Sequence, residues 1–118
     1  MKKLTLIMLL LVVFLQAFGA GPAEKKRVLI YTKNGEGYVH ENIPASVAAL
    51  EKICASEGIL TDVSDEPSVF TPENLARYDA LVFSNSNNEG FDTQDQKDAF
   101  QAYIRSGGGF AAIHSANA

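Results

Sequence analysis

The sequence predicts an α/β fold in which helices cover both faces of a parallel β-sheet. Four short runs are rich in apolar and β-branched residues, helical patterns alternate with them, and glycine or asparagine marks most junctions. Strands that are apolar throughout and alternate with helices are typical of parallel sheets buried on both sides. Right-handed crossovers then give a flavodoxin-like, doubly wound arrangement with the strand order 2-1-3-4.

Residues 1–23 are set apart from this domain as a predicted secretory signal peptide. Lys2 and Lys3 begin it, residues 4–15 are almost entirely apolar, and small residues follow as far as Ala23. This order is typical of a cleaved export signal, with an uncleaved anchor as the alternative. Because the apolar run is shorter than the roughly 20 residues of a membrane-spanning helix, we expect no stable membrane insertion after cleavage. The predicted location is secreted or periplasmic.

Strands and helices alternate through the remaining domain, residues 24–118. The predicted strands cover residues 27–32, 59–63, 80–83 and 109–113. The helices between them cover residues 43–57, about 71–77 and 94–106. Asn42 is expected to cap the first helix, and Thr93 with Gln96 forms a capping box at the start of the third. Glycine follows the first and third helices, where it favours termination.

The fourth predicted strand raises a question about the extent of the domain. In the order 2-1-3-4 it lies at an edge, yet residues 110–113 are apolar and uncharged. Natural edge strands are usually protected by charge, proline or a covering element. We therefore expect a further strand and helix, so that residues 24–118 form the N-terminal portion of a longer, truncated domain.

Composition argues against several functional classes. The formal net charge is −4, and Lys and Arg cluster only at residues 25–27, which disfavours nucleic-acid binding. Cys54 is the only cysteine, so no internal disulfide can form. It lies on the apolar stripe of the first predicted helix, which predicts a buried structural thiol. Two histidines without a third ligand predict no metal site. Gly35 and Gly37 lack the third glycine of a dinucleotide fingerprint, so no cofactor is assigned.

Both histidines follow the carboxyl end of a predicted strand. His40 lies in the loop after the first strand, and His114 comes directly after the fourth. Ligands collect at this rim in open α/β sheets, and imidazole exchanges a proton near neutral pH. His114 and His40 are therefore the candidate catalytic residues. Structural roles remain the alternative for both, and covalent catalysis by a nucleophile elbow at Ser115 is disfavoured because the flanking glycines are absent.

Neutral polar residues accompany the histidines at the same rim. Asn85 and Asn87 follow the third strand, and Ser115 follows His114. Amides and hydroxyls both donate and accept hydrogen bonds, as the hydroxyl groups of a sugar require. They are therefore the candidate substrate-binding residues, although the asparagines alternatively satisfy turn geometry.

Four segments carry a resemblance to a known family. They are residues 28–33 (VLIYTK), 37–44 (GYVHENIP), 70–83 (FTPENLARYDALVF) and 103–116 (YIRSGGGFAAIHSA). In this order they resemble the ThuA-like (trehalose-utilisation) family, whose fold is similar to that of class I glutamine amidotransferases. The resemblance implies a role in the use of keto-disaccharides or glycosides. It maps functional histidines to His40 and His114, and implies a domain about twice this length.

The resemblance also limits the functional expectation. Where the amidotransferases carry a catalytic cysteine this chain has His114, so glutaminase activity is not transferred. The family usually continues into an acidic residue after the histidine, whereas Ser115 and Ala116 follow here. We expect an exported domain that acts on or binds a small-molecule carbohydrate. The alternatives are a non-catalytic sugar-binding or assembly domain, or an inactive fragment. The sequence is also compatible with a homo-oligomer and with attachment to a fusion partner domain.

Overall fold

Four parallel strands form one sheet in the order β2-β1-β3-β4 within residues 21–117, the part of the chain that the computed structural model describes. The strands are β1 (Arg27–Tyr31), β2 (Leu60–Ser64), β3 (Ala80–Ser84) and β4 (Gly109–Ile113). Every pairing is parallel, with Leu29 opposite both Asp62 and Leu81. The flavodoxin-like α/β fold and its strand order are confirmed.

Helices connect the strands close to the positions that the sequence predicts. They are α1 (Ile43–Ser56), α2 (Pro72–Leu75) and α3 (Gln94–Arg105). Two short 3-10 helices, Pro67–Val69 and His114–Asn117, were not predicted. The capping box of α3 is confirmed, because the Thr93 hydroxyl accepts the Gln96 N–H while the Gln96 side chain accepts the Thr93 N–H.

The aromatic core lies on one face of the sheet, under α2 and α3. Its buried members include Leu29, Tyr31, Phe70, Leu75, Leu81 and Phe83. Tyr31 and Phe70 meet edge to face with ring centroids 4.8 Å apart, a preferred geometry for aromatic pairs. Burying such a side chain contributes about 1.5–3 kcal/mol, so this face supplies most of the hydrophobic stabilisation and holds the carboxyl ends of β1 and β3 in place.

Two predictions for α1 are wrong. Asn42 occupies the N-cap position but makes no side-chain capping bond: its backbone is helical, with φ −81° and ψ −2°, rather than extended as in a usual N-cap, and its Nδ2 donates to Asn85. Cys54 is only partly buried rather than enclosed, and α1 has no fully buried residue. The helix lies on the face of the sheet opposite the aromatic core, where the Ser46 hydroxyl is hydrogen-bonded to that of Ser84. Among the described residues, no second helix covers the apolar stripe of α1.

β4 forms one edge of the described sheet. It pairs with β3, and within the described residues no strand lies on its other side. The side chain of Phe110 is 46% exposed. The expectation that further elements cover this edge stays a prediction.

The predicted signal peptide lies almost wholly outside the described residues, which begin at residue 21. Residues 21–26 are exposed and irregular, and lead directly into β1. Among the helices of the described part, none has the length and apolar character to cross a membrane.

Candidate functional site

The imidazoles of His40 and His114 meet at the carboxyl rim of the sheet. Their ring centroids lie 4.5 Å apart and their planes are nearly perpendicular, at 88°. His40 is partly buried and His114 is exposed, so the pair is open to solvent on the His114 side. The strand order predicts that the two histidines share this rim, because only β3 separates β1 from β4, and the structure brings the rings into contact. The catalytic roles of both residues stay predictions.

A left-handed backbone conformation presents His114 at this rim. Its φ is +58°, at the point where β4 ends and the 3-10 helix His114–Asn117 begins. This region costs an L-residue roughly 1–2 kcal/mol, although histidine is among the types found there more often. The turn takes the chain out of the sheet immediately after Ile113, whose carbonyl still accepts the N–H of Asn85 at 3.1 Å.

Close backbone contact shapes the loop that carries His40. The N–H of Gly35 donates to the carbonyl of Asn87 at 2.9 Å. A Cβ at Gly35 would lie 2.6 Å from the backbone nitrogen of Glu89, so no larger residue fits there without movement. Gly37 has a φ of +120°, which only glycine adopts readily. Both glycines therefore serve loop geometry.

The amide of Asn87 holds the same loop from the opposite side. Its Nδ2 donates to the carbonyl oxygen of Tyr38 at 3.1 Å, and its Oδ1 accepts the N–H of Asn88. These bonds link the loop after β3 to the backbone two residues before His40. Asn87 thus has a structural role in this conformation, and its contact with a substrate stays a prediction.

Asn85 belongs to a buried polar network behind the rim. The residue has no solvent exposure, and its backbone φ is +55°, a left-handed value that asparagine tolerates. Its Nδ2 donates to the Ser84 hydroxyl at 3.1 Å, and its Oδ1 accepts from Asn42 at 3.2 Å. Ser84 in turn shares a 2.7 Å hydrogen bond with Ser46 of α1. Burial, together with a hydrogen bond at each of the two amide atoms, weighs against direct substrate contact and favours a positioning role.

Ser115 joins the two loops that follow β3 and β4. Its hydroxyl donates to the carbonyl of Ser86 at 3.2 Å, and the Ser86 hydroxyl donates to the carbonyl of Tyr31. This chain of bonds runs from β1 through the β3 loop to the residue beside His114. Ser115 is partly exposed, and its predicted contact with a substrate remains a prediction.

A cleft of about 690 Å³ opens beside His40. This volume falls within the range of small-molecule sites. Its charged lining residues are Lys33, Glu41, Asp65, Glu66 and Asp92. Lys33 forms an ion pair with Asp92, which leaves the cleft wall acidic overall. His114 does not line this cleft, so His40 stands between the cleft and the exposed partner ring.

The cleft also contains an unusual acceptor. The Nδ2 of Asn34 donates to the carbonyl of Thr32 at 2.9 Å, while its buried Oδ1 has no hydrogen-bond partner.

Beneath the rim, burial raises the pKa of Tyr31, whose hydroxyl donates to the carbonyl of Gly90. Tyr31 therefore stays neutral and acts as a support. Within residues 21–117, no group of three or more His, Cys, Asp or Glu side chains is arranged to hold a metal ion.

The candidate site residues did not include the cleft carboxylates or Tyr38. Asp65 and Glu66 follow β2 directly, so the rule that led to the histidines would also have found them. Tyr38 carries no such signal, because an aromatic residue in a loop is uninformative until its exposure and its neighbours are known. Its ring meets His40 edge to face, with centroids 5.0 Å apart.

Comparisons with known proteins agree with this architecture. A search of solved structures matches the crystal structure of a protein from Bacteroides uniformis described as ThuA-like, with a TM-score of 0.62 and 22% sequence identity. The match covers 84% of this chain and 40% of that protein, so this chain spans less than half of its length. At this identity the likeness shows the fold alone.

Curated proteins give no significant match to this chain. The family model described as ThuA, trehalose utilisation, matches residues 27–118. A match over most of the chain shows that this protein belongs to the ThuA family, and the membership supports a carbohydrate-related role.

Proposed function

We propose that this protein acts on a carbohydrate at the carboxyl rim of its sheet, with His114 and His40 as an acid–base pair. The observation that carries the proposal is the contact between the two rings, at 4.5 Å between centroids. Imidazole can donate or accept a proton near neutral pH, so two in contact supply an acid and a base at one place. The adjacent cleft offers carboxylate acceptors for sugar hydroxyls.

A keto-sugar is the substrate class that suits such a pair. His114, the more exposed ring, donates a proton to the carbonyl oxygen, and His40 accepts a proton from the neighbouring carbon. Where that carbon bears a hydroxyl group, the intermediate is an enediol, whose new C=C bond takes the electron pair of the broken C–H bond. His40 then returns a proton to the former carbonyl carbon while His114 takes one from the neighbouring hydroxyl, so the keto group moves by one carbon and both histidines regain their starting protonation states. Neither step requires a covalent bond between protein and substrate, in keeping with the absence of a nucleophile-elbow motif around Ser115.

The test of this mechanism is His114→Asn. Asparagine tolerates the left-handed backbone at this position but cannot act as an acid or base near neutral pH. General acid–base catalysis typically contributes 10²–10⁴-fold, so kcat on a keto derivative of trehalose should fall by at least about 100-fold. Turnover is followed by NMR, and circular dichroism confirms folding. Lys52→Ala, on the exposed surface of α1, is the control and should match the wild type.

Two results would contradict the proposal in different ways. Undiminished turnover by His114→Asn would remove His114 from the mechanism. Sugar binding by the wild-type chain without any turnover would favour a non-catalytic binding domain, the alternative that the sequence leaves open.

Export is part of the same proposal. The basic, apolar and small residues of positions 1–23 support cleavage between Gly19 and Ala23. Mass spectrometry of the mature N-terminus in the native host should therefore find a chain that begins within or just after this interval. A mature chain that retains Met1 would contradict it.

A further inference from the structure

Tyr38 forms the outer end of a row of three rings. Its ring meets His40 edge to face at 5.0 Å, and His40 meets His114 at 4.5 Å. The Tyr38 residue is 65% exposed, more than any other exposed large apolar residue of the described part. A single exposed apolar residue is ordinary. What sets Tyr38 apart is its contact with the candidate acid–base pair.

The backbone that carries the exposed ring is fixed by hydrogen bonds and by loop geometry. The carbonyl of Tyr38 accepts from the amide of Asn87 at 3.1 Å. Immediately before it, Gly37 is fixed at a φ of +120°, and Gly35 is bonded to the loop after β3. The loop therefore places the Tyr38 backbone in a defined position, from which the ring reaches the edge-to-face contact with His40.

We propose that Tyr38 is a stacking platform for one pyranose ring of the carbohydrate, a proposal that rests on the proposed function. One face of a pyranose carries C–H groups with small positive partial charges, whereas an aromatic face carries negative charge from its π-electrons. The two surfaces are both apolar and electrostatically complementary. Stacking here places the sugar beside His40, with its remaining hydroxyls towards solvent or the acidic cleft.

This assignment makes Tyr38 a specificity-determining residue and leaves the proton chemistry to the histidines. Losing the platform should weaken sugar binding and raise KM, while kcat at saturating substrate stays close to the wild-type value. A residue that only supported the fold would lower stability and kcat together. An exposed platform for a protein partner would leave sugar binding unchanged.

The experiment titrates the full chain and its Tyr38→Phe and Tyr38→Ala variants with trehalose, followed by NMR of the aromatic protons. Phenylalanine keeps the ring and should bind within about twofold of the wild type. Alanine removes it and should bind about tenfold more weakly, as expected for loss of an aromatic contact worth up to about 1.5 kcal/mol. Glu36→Ala is the matched control, because Glu36 is exposed in the same loop, lies outside the cleft lining and has no ring.

The outcomes separate the two proposals. If the wild type binds trehalose and Tyr38→Ala binds equally well, the platform is overturned and the proposed function stands. If Glu36→Ala weakens binding as much as Tyr38→Ala, general disturbance of the loop explains the loss and the platform is again overturned. If the wild-type chain neither binds nor turns over trehalose or its keto derivative, the proposed function fails and the platform fails with it.

Discussion

His114 shows how a single residue can connect the backbone to the chemistry of this site. Its left-handed conformation ends β4 and leaves its imidazole exposed at the rim, in contact with His40. The conformation is unfavourable by itself, so the surrounding bonds must maintain it. The bond from Ser115 to the loop after β3 lies next to the turn and supplies such a restraint.

Gly35 provides a residue-scale prediction about the loop that carries His40. Gly35→Ala places a methyl group 2.6 Å from the Glu89 nitrogen, so the two loops must separate. Overpacking of this kind typically costs about 1–3 kcal/mol, and the free energy of unfolding in urea should fall by that amount. Gly90→Ala is the matched control, because its added Cβ meets only the Tyr31 ring, at an ordinary contact distance of 3.8 Å. Equal stability of the two variants would show that the loops tolerate separation.

The strands and helices could be predicted because their signals are local. Alternating apolar runs indicated the parallel sheet, and Thr93 with Gln96 marked the start of α3. The packing of α1 could not be predicted in the same way. Its apolar stripe predicts that Cys54 is buried, but burial depends on which elements cover the helix. In the described part of the chain Cys54 is only partly buried, and no residue of α1 is fully buried. Helical periodicity identifies a face without saying how fully it is enclosed.

The candidate site was predictable in part: the positions of its histidines could be predicted, but the hydrogen-bond partners of its asparagines could not. The rule that ligands collect at the carboxyl ends of strands placed His40 and His114 on one rim, where the structure brings them into contact. The partners of Asn85 and Asn87 were not predictable, because they lie on distant loops and depend on the tertiary fold. Sequence pattern identifies polar groups at a rim, but only the assembled loops show which of them are already paired.

At the scale of the whole molecule, Asp62 connects parts of the chain that are distant in sequence. From β2 it accepts hydrogen bonds from the Tyr78 hydroxyl at 2.8 Å and the Arg27 guanidinium at 2.9 Å, with Arg77 nearby at 3.7 Å. The hydrogen bond from Tyr78, followed by those from Arg27 and the charges of both arginines, lowers the pKa of Asp62. This network joins β1, β2 and the segment before β3.

The lowered pKa of Asp62 makes stability depend on pH in a defined direction. Its pKa is lower in the folded state than the unfolded value of about 3.9, so its contribution is complete well above that pH and disappears as the pH falls through the folded pKa. Asp62→Asn should therefore lower the free energy of unfolding at pH 7, with the difference from wild type shrinking at pH 3. Urea titration at both pH values checks this.

The control for this prediction is Asp95→Asn, on the exposed first turn of α3. It removes one carboxylate without touching the network around Asp62, so it corrects for the general effect of acid on the molecule. A difference between wild type and Asp62→Asn that is the same at pH 7 and pH 3 would contradict the assignment.

The order of the strands has a consequence for how the candidate site assembles during folding. His40 follows the first strand along the chain, whereas His114 follows the last strand of the described sheet. A folding chain can pair β1 with β2 and β3 while its two imidazoles are still apart. The two rings therefore meet only after β4 joins the sheet, and the proposed activity should be absent from any earlier folding intermediate.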